Sequence, residues 1–531
     1  MNARRARGAS GVIQVRRDPE AIATHLEDAA HFPGGRASGL AFVSSERDIA
    51  ELLTSGSDVL PIGAQSSLTG AATPMGELLL STARLNRILE IGPRTARVQA
   101  GVTLAELDAV LETQKRYYPP ASTFHGAFLG GTVATNAAGA ATFKYGTTRD
   151  WVHALTIVLP TGDVLDIERG AVHAHDGAFD LQLADRRVRV AAPRYAMPRV
   201  PKVSAGYFSR PEMDLIDLFI GSEGTLGVVT EVTVRILNER PAFCLAFVPF
   251  SDQDSALGFV RALREVAHET WRTRDSRGVD IAAIEHLDRR CLALLREDGI
   301  DSLYGVRWPD ETVVALLVTL ELSSDTTSDR AYDEIGRARD VNAPDTPLVR
   351  FSRMLNGAGV LDDVEIAVPG DRARAAQLVA VREAIPAAVN QRVARAKQAI
   401  DLRIEKTAAD MIVPFERIGE LMSCYDQEFR RRGLDWAVWG HISDGNVHPN
   451  VIPRSLADVE AAKVAILELG RAAIRLGGSP LAEHGVGRNP IKQQLLRELY
   501  GDAGIEDMRR IKRAIDPAGI LSPGVLFPRQ S

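Results

Sequence analysis

Apolar and polar residues alternate most regularly in two short runs of the C-terminal third. Val438-Trp439-Gly440-His441-Ile442-Ser443 and Asn446-Val447-His448-Pro449-Asn450-Val451 flank Asp444-Gly445. Alternation of period two predicts half-buried strands, and Asp-Gly between them predicts a hairpin with a two-residue type I′ turn. That register sets Ser443 opposite Asn446, Ile442 opposite Val447, and His441 opposite His448. One face then carries Trp439, His441, Ser443, Asn446, His448 and Asn450. The other carries Val438, Gly440, Ile442, Val447, Pro449 and Val451. The second face is core and the first is chemistry. Opposed Cβ atoms lie about 4.5–5.5 Å apart, close enough for two imidazoles to share one ion. Pro449 fits an edge strand better than a central one.

Elsewhere the pattern mixes short strands and helices. Ala41–Val43 reads as a strand, and Ser45-Glu46-Arg47-Asp48 as the start of a capped helix. Asp58–Gly63 and Arg97–Gly101 read as strands, and Thr103-Leu104-Ala105-Glu106 as a capping box for a helix to about Lys115. Trp151–Leu159 and Val164–Ile167 form a hairpin across Pro160–Asp163. Asp214–Ile220 is a helix and Val228–Leu237 a strand. Farther on come strands Cys244–Phe250 and Val313–Leu320, and helices Ser255–Ala267, Arg372–Ala394, Glu460–Leu476 and Glu506–Ile515. The chain then runs into a Pro/Gly stretch, Asp516–Phe527. These elements predict an α+β protein.

Composition narrows the function classes. The 531 residues suffice for three or so units with large buried cores. Net charge is −6, from 63 basic and 69 acidic residues, so nothing global attracts nucleic acid or a membrane. No apolar run is long enough for a transmembrane helix. Met1–Arg7 is basic without a following apolar stretch, which predicts a short disordered tail and not a secretory signal. The default location is cytoplasmic, with peripheral membrane association left open. The three cysteines, Cys244, Cys291 and Cys424, form no CxxC pattern and support neither a disulfide framework nor an iron–sulfur cluster.

Neither GxGxxG after a strand, nor GxxxxGK[ST], nor GxSxG is present, which disfavours nicotinamide, P-loop and serine-hydrolase chemistry. What the chain has is three loops of small residues: Gly63–Gly70, Gly130–Gly139 and Gly221–Gly227. Loops of this kind let backbone amides approach a ligand and form anion-binding nests.

The order and wording of these loops resemble one family. Pro61-Ile62-Gly63-Ala64-Gln65-Ser66-Ser67-Leu68-Thr69-Gly70 is similar to the pyrophosphate loop PRGGGTSLSG of the vanillyl-alcohol-oxidase superfamily. Gly130–Gly139, followed by Tyr145-Gly146-Thr147-Thr148-Arg149-Asp150, resembles GGNxATNAGG and YGTTRD. Lys202-Val203-Ser204-Ala205-Gly206-Tyr207 resembles KNSAGY, and Asp217–Gly227 matches DLFIGSEGTLG. Trp439–His448 contains GHxxDGNxH, Glu483-His484-Gly485-Val486-Gly487 resembles EHGIG, and Asp516–Gly524 resembles DPxGILNPG. The likeness runs from about residue 35 to 528 and is nearest to the FAD-linked D-2-hydroxyacid dehydrogenase branch. It implies a two-subdomain PCMH-type FAD-binding domain, a cap domain on an antiparallel sheet, and a C-terminal helical segment. The corresponding boundaries are an N-terminal extension 1–34, the FAD domain 35–240, the cap 241–478, and 479–531 completing the active site. The stretch Arg169–Val200 looks like an insertion.

The same resemblance implies a site. Non-covalent FAD would be held by Pro61, Gly63, Ala64, Gln65, Ser66, Ser67, Gly70, Pro120, Gly130, Gly131, Thr135, Asn136, Gly139, Tyr145, Gly146, Glu223, Gly227, Val228, Val229 and Asn446. Covalent attachment at His125 is the lesser alternative. A divalent ion, Zn²⁺ or Mn²⁺, would be bound by His441, His448 and Glu483, a donor set that suits either metal. Arg382 and Lys406 would bind the substrate carboxylate, with Asn446 beside them. His484 would act as general base. Pro386 stands where some members carry a substrate-contacting threonine, which weighs against 2-hydroxyglutarate. The implied reaction is oxidation of a D-lactate-like D-2-hydroxy acid to the 2-oxo acid, with hydride passing to flavin N5 and electrons leaving to an unidentified acceptor. Two alternatives share the fold: an alkyl-dihydroxyacetone-phosphate synthase-like transferase, and an electron-transfer subunit of a larger complex. A homodimer is one candidate assembly.

Overall fold

A computed structural model describes residues 1–8, 13–120 and 124–529. The chain weaves two units. Residues 1–139, 146–238 and 479–531 form the first, and residues 140–145 and 239–478 the second. The expected α+β class holds in both.

The first unit contains two larger sheets. Val15–Arg16, Gly39–Phe42, Leu78–Ser81 and Val59–Ile62 lie side by side in that order, the last three parallel. The helix Glu46–Leu53 follows Gly39–Phe42, and both halves of its Ser45–Asp48 capping box are made. The second sheet is wholly antiparallel, in the order Arg4–Arg5, Asp163–Glu168, Val152–Val158, Val228–Arg235, Thr95–Gln99, Ile88–Ile91. Helix Leu104–Thr113 starts on the Thr103–Glu106 box as its sequence predicts. Leu107, Leu111, Val133, Ile157, Phe219 and Val232 lie in the largest core of this unit.

Two readings need correction here, those of Met1–Arg7 and of the helix expected from Asp214. Met1–Arg7 is no disordered tail. Arg4–Arg5 pairs with Asp163–Val164, and the Arg4 guanidinium donates to Glu46 at 2.6 and 2.7 Å and to Asp166 at 2.6 Å. Two carboxylates, one on the helix Glu46–Leu53 and one on the strand Asp163–Glu168, thus hold what composition alone marked as a basic tail. The stretch Arg169–Val200 contains a hairpin, Ala178–Gln182 with Arg187–Ala191, whose Phe179, Leu181 and Val190 join the main core. The stretch expected to be helical from Asp214 is helical only over Ile216–Phe219. In the Pro/Gly stretch near residue 520, Val59 donates to the Ile520 carbonyl at 2.8 Å, and the Ser522 amide donates to Val59 at 2.9 Å. Leu521 is thereby buried against the first sheet.

The second unit is built on one antiparallel sheet. Its order is Glu365–Ala367, Ala242–Phe250, Val314–Leu322, Asp280–Asp288, Trp436–His441, Asn446–Val451, Thr407–Ala408, with Met411–Ile412 also pairing with Asn446–Val451. Helices Gln253–Thr273, Arg289–Glu297 and Arg372–Ala399 belong to this unit, and Leu292, Leu295, Val381, Ile385 and Trp439 share its core. Among the described residues, no helix is long and apolar enough to cross a membrane.

Candidate functional site

In the first unit the small-residue loops are shaped by backbone geometry. Gln65 takes φ = +51°, in the left-handed region that glycine occupies at little cost. The resembling pattern has glycine at this position. Gln65 holds the geometry with its side-chain amide, which donates to the carbonyls of His25 at 3.0 Å and Ala72 at 2.9 Å. Gly70 sits at φ = +75°, where a Cβ would lie 2.5 Å from Phe32 Cγ. Between them, Ala64, Ser66 and Ser67 are half-buried, and the Ser67 and Thr69 hydroxyls lie 3.1 Å apart. Pro61 opens this loop at the strand end, also half-buried.

The second loop begins as the helix Leu129–Thr135. Gly130 fits tightly over Ala100, whereas a Cβ on Gly131 would meet nothing within 4 Å. Thr135 Oγ1 donates to the Gly131 carbonyl at 3.1 Å. Asn136 ends the helix at φ = +49°, and its Oδ1 accepts the Arg149 amide at 2.9 Å. Gly139 is half-buried, and Gly146 turns at φ = +74°. Pro120 leads into residues 121–123, outside the described chain. His125, the alternative covalent position, accepts the Ala105 amide on its carbonyl at 2.9 Å.

The third loop locks onto the second: the amides of Gly221 and Glu223 donate to the carbonyls of Val133 at 2.9 Å and Ala134 at 2.7 Å. Glu223 is buried, and its carboxylate accepts the amides of Val486 and Gly487, both at 2.8 Å. Burial pushes its carboxyl up to about 7, against the lowering pull of those amides and of Lys492. Gly227 packs on Ile157, and Val228 and Val229 start the strand beyond. Gly487 sits so close to Thr69 that a Cβ would lie 2.3 Å from its carbonyl oxygen. The segment carrying Glu483 and His484 is therefore fastened to the first and third loops by backbone contacts. Glu483 is buried and ion-paired to the fully buried Lys202. His484 is less buried, with Nε2 4.0 Å from Glu483 Oε2.

In the second unit the histidine hairpin forms, but not in the expected register. Trp439 faces His448, Val438 faces Pro449, and Ala437 faces Asn450. His441 therefore does not oppose His448. The connection is a 3₁₀ turn, Ile442–Asp444, closed by the Gly445 amide on the Ile442 carbonyl at 3.1 Å. Gly445 has φ = +80°, but Asp444 is not among the positive-φ residues, and a type I′ turn needs both. A Cβ on Gly445 would lie 2.2 Å from the Val413 carbonyl oxygen, so tertiary packing selects the turn. The offset is two residues, one full side-chain period, so both histidines stay on one face. Their rings lie 5.5 Å apart at 86°.

Each imidazole has a carboxylate behind it. His441 pairs across strands with Glu285, its Nδ1 3.3 Å from Oε2. His448 Nδ1 lies 3.4 Å from Asp410 Oδ1. All four residues are buried or nearly so. Burial alone would raise the Glu285 carboxyl, but Arg382 and His441 more than offset it and hold it below the usual range. Arg382 donates to Glu285 Oε2 at 3.0 Å, so one edge of its guanidinium is already engaged. Asn446 is buried, and its amide donates to Asp410 at 3.1 Å and to the Met411 carbonyl at 2.8 Å. Lys406 is exposed at the sheet edge, its ammonium 6.0 Å from the Trp439 ring centre.

A carboxylate on the Nδ1 side is a usual support of a metal-binding histidine, and each of these two rings has one. Sequence reasoning singled out neither Glu285 nor Asp410, and it quoted Lys202 without giving it a role. Asp410 carried a signal, four residues past Lys406 in the Asp-Met-Ile-Val-Pro stretch. Glu285 carried none.

Comparison with known proteins fits these observations. Residues 37–168 match the model of an FAD binding domain, and residues 245–526 that of FAD linked oxidases, C-terminal domain. An uncharacterized FAD-linked oxidoreductase of Mycobacterium tuberculosis is 31% identical over 501 residues, spanning 91% of this chain and 89% of that protein. A D-2-hydroxyglutarate dehydrogenase of Xanthomonas citri pv. viticola is 30% identical over 482 residues, covering 88% and 84%. A D-lactate dehydrogenase of Archaeoglobus fulgidus is 27% identical over 467 residues, covering 87% and 84%. Among solved structures, an alkyldihydroxyacetonephosphate synthase superposes with a TM-score of 0.61 at 16% identity, over 96% of this chain and 83% of that one, a likeness of fold.

Proposed function

Because the chain belongs to the family of FAD-linked oxidases, we propose that it oxidises a small, D-lactate-like D-2-hydroxy acid to the 2-oxo acid, with FAD and a divalent metal. One observation carries the reading: two buried histidines share a face, each with a carboxylate on its Nδ1 side. Burying charge costs several kcal/mol unless it is compensated, and two carboxylates beside the pair would suit a cation held there. In this reading His441, His448 and Glu483 would hold the metal, a donor set that suits Zn²⁺ or Mn²⁺. Relatives named as D-lactate and D-2-hydroxyglutarate dehydrogenases support the substrate class.

When bound, FAD supplies the hydride acceptor and the metal a positive charge for the substrate hydroxyl. The protein's part is to position substrate and move a proton. Glu285 and Asp410 fix the orientation of the two imidazoles. Lys202, ion-paired to Glu483, holds that carboxylate in place. His484, the less buried neighbour, takes the hydroxyl proton. Arg382, held by Glu285, would bind the substrate carboxylate. Pro386, inside the same helix one turn on, offers no hydroxyl for a second carboxylate, which favours a short substrate over 2-hydroxyglutarate.

The test is anaerobic flavin bleaching by a panel of D- and L-hydroxy acids, before and after chelation with FAD retained. Bleaching by short D-acids that is lost on chelation and restored by Mn²⁺ or Zn²⁺ is expected. Unchanged bleaching after complete metal removal would sink the metal role. No bleaching by any hydroxy acid would sink the substrate class.

A further inference from the structure

The glycine-rich motif contains a detour. Gly139 and Gly146 belong to the first unit, while Ala140–Tyr145 between them count with the second. Side chains hold the short helix Thr142–Tyr145 there. Lys144 Nζ donates to Asp280 Oδ2 at 2.6 Å and also to Glu321, and the Tyr145 hydroxyl donates to Glu321 at 2.6 Å. The Phe143 ring lies 5.1 Å from Trp271, whose Nε1 donates to Asp280 at 2.7 Å.

From Phe143 a contact chain leads to the histidine hairpin. The Arg264 guanidinium lies over Phe143 at 5.1 Å and over Phe415 at 4.2 Å, and it donates to the Ser443 carbonyl. Ser443 is the middle residue of the 3₁₀ turn that joins the strands of His441 and His448. Its hydroxyl accepts the amide of Ile284, the neighbour of Glu285, at 3.2 Å. A planar guanidinium against two rings has a fixed fork direction, which an ammonium lacks. The reaction proposed above leaves Arg264 without a role.

We propose that Arg264 is a positioning residue. It ties the Ala140–Tyr145 stretch of the glycine-rich motif to the histidine turn, so that FAD in the loops and metal at the histidines favour each other. The inference rests on the FAD-plus-metal reading. Ordering the loop on one side of the detour restrains Phe143, which restrains Arg264 and the turn. By linkage the same factor must act in both directions.

The experiment titrates Mn²⁺ into the full chain, metal-stripped, with and without saturating FAD, and follows free Mn²⁺ by electron paramagnetic resonance. Zn²⁺ is measured in parallel by chelator competition. In the unaltered chain the metal should bind about 5-fold or more tightly when FAD is present. Arg264→Lys and Phe143→Leu should each bring that ratio near one while FAD still binds. A purely structural role would lower both affinities and leave the ratio standing. Metal binding with a ratio near one in the unaltered chain, or a ratio unchanged in both variants, overturns the inference alone. No metal bound with or without FAD overturns the metal reading and the inference with it. Should Arg264→Lys fail to fold, the ratio in the unaltered chain and in Phe143→Leu still decides.

Discussion

The glycine loops and the histidine hairpin are built from opposite materials. In the loops the backbone carries the shape: Gln65, Gly70, Asn136, Gly221 and Glu223 all take positive φ, and amides of the third loop and of the segment after Glu483 fasten the parts together. In the hairpin the side chains carry it, with Glu285 behind His441 and Asp410 behind His448. A backbone-built site constrains each of its own positions, because only certain residues tolerate a left-handed turn or a close approach. A side-chain-built site borrows its supports from elsewhere in the chain, and those positions are constrained by a few distant partners.

The contrast can be broken by mutation. His448→Ala should lower turnover by more than about 100-fold, beyond the range of outer supports, with flavin absorbance unchanged. Equal loss of FAD would make the two regions one cooperative site. Gly70→Ala forces a side chain into left-handed backbone and against Phe32, and should cost about 2–4 kcal/mol, read by denaturant unfolding and FAD content. Asp410→Asn keeps the shape but removes the charge behind His448. Metal binding should weaken about 10- to 100-fold in a Mn²⁺ titration, with FAD content intact. Gln65→Gly should change least. Two hydrogen bonds are lost at about 1 kcal/mol each, while left-handed strain of about 1 kcal/mol is relieved. Unfolding midpoints should therefore stay close, and a large loss would mean that Gln65 does more than hold the turn.

Legibility followed the same division. The Ser45–Asp48 and Thr103–Glu106 capping boxes are contained within four residues, and both are made. The histidine hairpin was legible as two strands with one polar face, because that follows from period two alone. Its register was not, since the Val413 carbonyl, outside the hairpin, selects a 3₁₀ turn over the type I′ turn that Asp444-Gly445 suggests. The strand Asp280–Asp288 escaped notice for a related reason. It lies between two other strands and is largely buried, so Ile281-Ala282-Ala283-Ile284 shows no alternation to read. Glu285 became meaningful only once that strand stood beside Trp436–His441. The Arg4 contacts were hidden likewise, because Glu46 and Asp166 are brought to it only by the fold.

The bridge between Leu521 and Val59 bears on how the protein is made. A ribosome delivers residues 479–531 after the whole second unit, so the first unit stays unfinished while an entire domain emerges and folds in its midst. Until then the edge of Val59–Ile62 is unprotected, and the Glu223 carboxylate lacks the amides of Val486 and Gly487. A nascent chain interrupted before residue 479 would carry the loops without the segment that fastens them.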